Sequence, residues 1–471
     1  MDDLLNRLTT LLGPAGLLTA PSDIAPFCTD WRGLMHGAAR AILRPASTDQ
    51  VAQCVALCAE HGAKMVPQGG NTSMVAGATP SADGSAFILT LSRLNQVRAI
   101  DTTDLTMTIE AGVTLQAAQI AADDAGALLP LSISAEGSAQ IGGVLATNAG
   151  GNNTLRYGNA RDLVLGLEVV LADGRIWHGL RSLRKDNTGY CLRQLFVGSE
   201  GTLGIITAAV LKLSPRPRDR QAAFCAVPSV DAALALFARF RAEDASALQA
   251  FEYIAAPTLD LVVKHIPGIT PPTSRAPHYV LIDLATTNKH GNLRAMLEDT
   301  LATALNDGLI TDAALADSAA HRAAFWKLRE NCAEGQKQEG ASVKNDVSVP
   351  VSTIPTLLAQ AETALQHLIP GCRMVAFGHI GDGNIHLNVQ QPANITAGEF
   401  LSQAHDIMDC VNAIVQSLHG SFSAEHGIGK LKPYLMTNWR GGPELDMMHA
   451  IKSALDPACT LNPGTLLPPR P

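Results

Sequence analysis

The chain has 471 residues, 46% of them hydrophobic and 17% charged, which is more than one ordinary core needs and too apolar for a disordered chain. Its formal net charge of −8 repels a phosphate backbone, and that average field argues against nucleic acid as a partner. Aromatic residues make up 4% against 40 glycines, so close backbone approaches, not stacked rings, are the material for a binding surface.

The opening MDDLLNRLTTLLG reads as a short helix. It carries two acids at once and lacks the order of a secretory signal or the Arg/Ser-rich character of a transit peptide. No apolar run reaches the roughly 18–20 residues that span a bilayer, so no transmembrane segment and a cytoplasmic protein are expected. ARAILRPASTDQVAQCVALCAEHGAKMVPQGG then predicts strand, helix, strand and a glycine-rich turn, with Cys54 and Cys58 on one helical face. The nine cysteines are scattered without a CxxC pair, which predicts buried thiols in a reducing compartment.

Two apolar stretches, AFILTLSRL and TMTIEAG, and the helix TLQAAQIAADDAGALLP follow. GLEVVLADGRIWHG alternates around Ala-Asp-Gly and predicts a hairpin. After LFVGSEGTLGIITAAVLKLSP, Pro215, Pro217 and nearby arginines mark a boundary. Residues 218–420 mix periodic helices with strands, a second α+β domain, and 421–471 carry the helix ELDMMHAIKSALDP before LNPGTLLPP. The expected division is therefore 1–217, 218–420 and 421–471.

Two long loops, PQGGNTSMVAGAT (67–79) and GSAQIGGVLATNAGGNNT (137–154), contain no charged residue. Their many backbone N–H groups and short hydroxyls suit a diphosphate held by oriented amides; tight turns in a packed β region are the plainer alternative. Neither loop fits GxGxxG after a strand and no P-loop motif occurs, so a nicotinamide-type Rossmann site is not indicated.

In GHIGDGNIHLNV (378–389), Asp382-Gly383 as the central pair of a two-residue hairpin would set His379 opposite His386. Strand alternation sends Asn388 to the same side, so two imidazoles and a carboxamide converge. That is ligand geometry for a divalent metal; two structural histidines on a hairpin remain the other reading. SAEHGIGK (423–430) offers Glu425 as a third ligand and His426 as a general base pointing elsewhere, or else only an exposed acidic loop. FWKLREN and SVKNDVSVP supply Arg329 and Lys344, which in isolation read as a helix-surface cation and a solvated loop charge.

Taken together these motifs are a different matter. PQGGNTS, AEGSAQIGGVLATNAGGNNTLRYGNARDLVLGLEVVLADG, LRKDNTGYCLRQLFVGSEGTLGIIT and DPACTLNPGTLLP resemble the vanillyl-alcohol-oxidase/para-cresol-methylhydroxylase superfamily of flavoproteins. The implied fold is α+β: a two-subdomain PCMH-type FAD-binding domain, an α+β substrate (cap) domain, and a C-terminal helical segment returning to the flavin. The resemblance implies FAD contact at Gly69, Gly70, Asn71, Thr72, Ser73, Ser138, Gly142, Thr147, Asn148, Gly150, Ile206 and Asn462. Some members tether FAD through a His in the first loop; with Gly69, Gly70 and Asn71 here, non-covalent FAD is implied.

GHIGDGNIHLNV followed by SAEHGIGK is similar to the metal-dependent D-2-hydroxy-acid dehydrogenase branch, nearest to the hydroxyglutarate enzymes, with the lactate enzymes next. That resemblance implies a zinc-like ion on His379, His386 and Glu425, and His426 as catalytic base that also meets substrate. It implies Arg329, Lys344 and Asn388 as further substrate contacts, and one departure, Ala333 where a Thr is expected four residues after the Arg. The expected reaction is oxidation of a D-2-hydroxy acid. Its electrons would go to an electron-transfer flavoprotein or a quinone-linked carrier, and a homodimer is the expected assembly.

Overall fold

A computed structural model describes residues 2–470. The chain divides into two units, one of Met1–Gly151, Tyr157–Arg216 and Glu425–Pro471, the other of Asn152–Arg156 and Pro217–Ala424. Among the described residues, no helix is long and apolar enough to cross a membrane.

The first unit holds two larger sheets and the short antiparallel pair of Ala127–Leu128 with Ser214–Pro215. A four-stranded sheet runs in the order Leu17–Leu18, Ala41–Leu43, Phe87–Thr90, Met65–Gln68, with the last three strands parallel. The helix Thr48–Glu60 connects Ala41–Leu43 to Met65–Gln68; Ser47 caps it by accepting from Gln50 N at 3.2 Å. Both faces of this sheet are covered: Phe87 and Leu89 point into one apolar cluster and Ile88 into another, as period-two alternation requires. Cys54 and Cys58 are fully buried on one face of that helix. Cys191 and Cys459, in contrast, are exposed, because both lie in polar loops outside any core.

The second sheet is antiparallel throughout, in the order Val97–Asp101, Thr106–Glu110, Ile205–Lys212, Val164–Val170, Ile176–Gly179. Val164–Val170 and Ile176–Gly179 form the hairpin that GLEVVLADGRIWHG predicts, with Leu167 opposite Gly179. The segment 137–154 is not all loop. Ile141–Ala146 is a short helix because Ile141, Val144 and Leu145, at the i, i+3, i+4 spacing, bury together in the core.

The second unit is built on one antiparallel sheet, in the order Asp312–Leu315, Asp219–Val227, His278–Thr286, Leu248–Ala255, Arg373–Gly378, Asn384–Gln390, Ser342–Val343. The strand Asp346–Ser348 also pairs with Asn384–Gln390. Ala250 and Ile254 face a cluster containing Leu259, Val262, Phe325 and Trp326 from the helices Ala256–His265 and Ala319–Glu330. Phe251, one residue out of phase, turns to the opposite face and meets Phe237 of the helix Val230–Asp244 at 5.1 Å between ring centroids.

Candidate active site

In the first unit the two uncharged loops meet. A Cβ on Gly70 would stand 1.8 Å from the Ser138 carbonyl oxygen, so only glycine lets the two strands of backbone touch there. A Cβ on Gly69 would reach Gly143 Cα at 3.6 Å, whereas one on Gly143 itself would meet nothing within 4 Å. Gly142 packs on Ala111, where an added Cβ would sit 2.9 Å from the Ala111 Cβ. The floor of this cradle thus has open space above Gly143 and none beneath Gly70 and Gly142.

Left-handed backbone recurs around it: Asn71 (φ 54), Asn148 (φ 50), Glu200 (φ 51) and Asn462 (φ 45). Three are asparagines, the side chain best suited to this region after glycine. Asn71 Nδ2 donates to Thr29 O at 2.9 Å, and Asn148 Oδ1 accepts from Arg161 N at 2.9 Å. Ser73 Oγ accepts from Val75 N and Gly77 N, and Thr147 Oγ1 donates to Gly143 O, so both hydroxyls brace their own segments. Thr72 and Gly150 are half-buried in the same loops. The Ile206 side chain lies in the core, which leaves its main chain as the part that a ligand could meet.

Glu200 ties this cradle to the EHGIGK loop. Its Oε1 accepts from Ile428 N at 2.8 Å and its Oε2 from Gly429 N at 2.7 Å. Burial pushes its pKa up from the ordinary carboxylate value, while those two N–H groups and Lys432 pull the other way. Gly427 (φ +80) and Gly429 (φ +55) allow the loop to wrap the carboxylate. Upstream, Glu425 Oε1 lies 4.0 Å from His426 Nε2, so the two side chains lean together instead of pointing apart as the sequence suggested.

In the second unit the histidine turn is longer than predicted. Arg373–Gly378 and Asn384–Gln390 pair with Phe377 opposite His386 and Val375 opposite Asn388, leaving residues 379–383 as the turn. A two-residue type I′ turn needs positive φ at both central residues; Gly383 has it (φ +90) and Asp382 does not. The slip is two residues, so every side chain keeps its face. His379 and His386 still meet, edge to face, at 5.9 Å between ring centroids.

Both imidazoles have a carboxylate behind them. His379 Nδ1 bonds Glu252 Oε1 at 2.7 Å, and His386 Nδ1 stands 3.5 Å from Asp346 Oδ1, across the strand pair that sets Asp346 opposite His386. Glu252 Oε2 also accepts from Arg329 Nε at 2.8 Å. Burial pushes the Glu252 carboxyl up, but His379 and Arg329 outweigh it and hold the pKa down at about 2. Arg329 is therefore no helix-surface cation: it is buried, with its guanidinium 5.0 Å from the centre of the Phe377 ring.

Asn388 is buried, its Nδ2 donating to Gln336 Oε1 at 2.8 Å and its Oδ1 accepting from Asn345 N at 3.2 Å. Lys344 is half-buried between the strands Ser342–Val343 and Asp346–Ser348, and Ala333 is exposed on the helix Cys332–Gln338. Ala424, the residue that precedes Glu425 in the chain, donates from its N–H to the Asp346 carbonyl at 3.2 Å.

Residues 216–466 match the family of FAD linked oxidases, C-terminal domain, and residues 39–179 match the FAD binding domain. The chain is 38% identical to the mitochondrial D-2-hydroxyglutarate dehydrogenase of Bos taurus, over 97% of this chain and 82% of that one. It is 36% identical to the D-2-hydroxyglutarate dehydrogenase of Xanthomonas citri pv. viticola, over 96% and 94%. The chain belongs to the FAD-dependent D-2-hydroxy-acid dehydrogenases of the FAD-linked oxidase family. Its fold is shared with substrate-bound p-cresol methylhydroxylase, at a TM-score of 0.70, 18% identity and coverage of 98% and 96%, which establishes the PCMH-type architecture.

The residues present fit the flavin of this family. Asn462 Oδ1 and Gln140 Oε1 are buried at the cradle without a hydrogen-bond partner in the protein, and Gly143 faces open space. Within the second unit, His379, its Nδ1 bonded to Glu252, and His386, with Asp346 at 3.5 Å from its Nδ1, have the chemistry of ligands that would turn Nε2 to a divalent ion. Sequence reasoning passed over Glu200 and Glu252. Glu252 left a signal, a lone carboxylate inside the wholly buried strand LQAFEYIA, where a charge needs partners. Glu200 left none beyond its place in GSEGTLG.

Proposed function

We propose that this dehydrogenase oxidises D-2-hydroxyglutarate to the 2-oxo acid, assisted by a divalent ion, zinc by first choice, on His379, His386 and Glu425. When bound, FAD accepts the hydride and the ion acts as a Lewis acid toward the hydroxyl. A ring nitrogen of His426 takes the hydroxyl proton as the Cα–H leaves with its electron pair. Arg329 and Lys344 hold substrate carboxylates, the first by its planar fork and the second as a point charge, with Asn388 contributing a carboxamide. Electrons pass on to an electron-transfer flavoprotein or a quinone-linked carrier.

The observation that carries this reading is the pair His379 and His386, 5.9 Å apart, each with a carboxylate at Nδ1. A hairpin with incidental histidines has no need of two such carboxylates. D-malate, which also carries a distal carboxylate, is the other substrate this reading takes, and one observation favours a second reading with the monocarboxylate D-lactate: Ala333 supplies no hydroxyl for a distal carboxylate.

The test is anaerobic bleaching of the oxidised flavin band by D-2-hydroxyglutarate, D-malate, D-lactate and their L-forms, with and without EDTA. Rapid bleaching by D-2-hydroxyglutarate, lost with EDTA and restored by a divalent ion, is expected. Preferential bleaching by D-lactate or D-malate would replace the substrate. Bleaching that ignores EDTA would remove the ion from the reaction. No bleaching by any acid would point to a subunit of a larger glycolate- or lactate-oxidising complex. His426→Asn should slow flavin reduction by roughly 100- to 10,000-fold, the ordinary worth of a positioned base.

A further inference from the structure

We infer that Glu252 is a positioning residue that serves ion binding and acid recognition at once, by holding His379 through one carboxylate oxygen and Arg329 through the other. The inference rests on the reading above, in which His379 is an ion ligand and Arg329 grips the acid.

The geometry follows from strand register. Ile254 pairs with Phe377, and carrying that antiparallel register two residues further sets Glu252 opposite His379 on the same face. From that face rises the helix Ala319–Glu330, whose buried residues include Trp326 and Arg329. Trp326 Nε1 and Arg322 both donate to Asp283, so one helical face brings its polar groups down on two sheet carboxylates. Glu252 is 1% exposed, and the crevice it shares with His379, Phe251 and Leu155 is too narrow for a water molecule. Little solvent screens these bonds.

The charges explain why one carboxylate suffices for both tasks. Arg329 is a permanent cation, and its charge balances that of Glu252 inside the unit. With Nδ1 turned to Glu252 Oε1 at 2.7 Å, His379 has Nε2 as the ring atom that would meet an ion. A carboxylate in this place raises the ligand's basicity and fixes its tautomer. Through Oε2 the same group fixes the Nε edge of Arg329, which aims the remainder of the guanidinium. A carboxamide cannot do both and keep the ligand: with its oxygen on Arg329, the NH₂ of a Gln meets His379 Nδ1 only in the tautomer that puts the proton on Nε2.

The experiment compares the FAD-loaded wild-type protein with Glu252→Gln, Glu252→Asp and Arg329→Gln. Titration calorimetry with Zn²⁺ and no substrate gives ion affinity, and steady-state kinetics with D-2-hydroxyglutarate and D-lactate give KM and kcat separately. Glu252→Gln should weaken Zn²⁺ binding by roughly 10- to 100-fold. It should also raise KM for the dicarboxylate more than for the monocarboxylate. Arg329→Gln should reproduce the KM change while altering Zn²⁺ affinity less than Glu252→Gln does, because His379 keeps its carboxylate, and Glu252→Asp should recover part of both losses. If the Gln variant keeps wild-type flavin content and binds Zn²⁺ as tightly as wild type, the inference is wrong. If the Gln variant loses flavin and thermal stability while the Asp variant binds Zn²⁺ as wild type does, Glu252 is only structural and the inference again fails. If the wild-type protein binds no divalent ion, the ion reading above falls first and takes this inference with it.

Discussion

The side-chain amide of Asn462 donates to the carbonyl oxygens of Gly77 and Glu200, both at 2.8 Å, closing the C-terminal tail over two loops of the flavin domain. The tail is also held by its main chain, with Asn462 N donating to Met65 O at 2.7 Å. Asn462 therefore joins three segments far apart in sequence while its Oδ1 stays without a protein partner. Asn462→Ala should release two buried hydrogen bonds and cost about 1–3 kcal/mol of stability. The measurement is thermal unfolding together with the ratio of flavin to protein absorbance after gel filtration. Both should fall; an unchanged flavin ratio would show that the residue only closes the tail.

Gly143 and Gly70 should respond differently to the same added methyl group. Gly143 lies inside the helix Ile141–Ala146, where Ala is favoured over Gly by roughly 0.5–1 kcal/mol. Its face is open, so Gly143→Ala should raise the melting temperature of flavin-free protein while weakening FAD binding. Gly70→Ala drives a Cβ into the Ser138 carbonyl and should lower both. Opposite signs for stability and flavin affinity at Gly143 would mark that face as the one covered by cofactor; equal signs would refute it.

What could be read from sequence and what could not divide along contact distance. The hairpin Val164–Gly179, the helix Thr48–Glu60 and the shared face of His379 and His386 are local, and period-two or 3.6-residue patterns report them. The histidine turn is longer than its Asp-Gly pair implies because that pair signals a turn without fixing φ at Asp382, yet a two-residue slip preserves the face. The helix Ile141–Ala146 was hidden by its glycines. Glu252 meets partners 77 and 127 positions away, and Glu200 meets Ile428 across 228 positions. No local pattern encodes such partners; only the anomaly of a charge in an apolar strand hints at them.

Lys430 should give the protein a distinct alkaline signature. Burial lowers its pKa from 10.5 to about 8, with Asp83 opposing, and Nζ donates to the Thr79 carbonyl at 2.5 Å. Between pH 8 and 10.5 the unfolded chain holds this proton and the folded one has released it, so folding stability from this group rises with pH. The gain is absent below 8 and complete above 10.5, with a slope of at most about 1.4 kcal/mol per pH unit. Lys430→Met should flatten that slope. Urea unfolding of both proteins at pH 7.5 to 10.5, taken as a difference, isolates the term; parallel curves would mean that Lys430 titrates as in the unfolded chain.

Ala333 offers the direct handle on substrate choice. It stands four residues after Arg329, and its exposed methyl group can be exchanged for a hydroxyl-bearing side chain at little cost, within about 0.5 kcal/mol of stability. If the acid's distal carboxylate lies against Arg329 and Lys344, a Thr hydroxyl there adds one charge-assisted hydrogen bond of about 1.5–3 kcal/mol at most. Ala333→Thr should then improve kcat/KM for D-2-hydroxyglutarate by roughly tenfold or more, and leave D-lactate, which has no distal carboxylate, within twofold. The readout is the ratio of the two specificity constants. A ratio that does not move would place the distal carboxylate away from this helix, and a ratio that moves toward D-lactate would favour the smaller acid as the natural substrate.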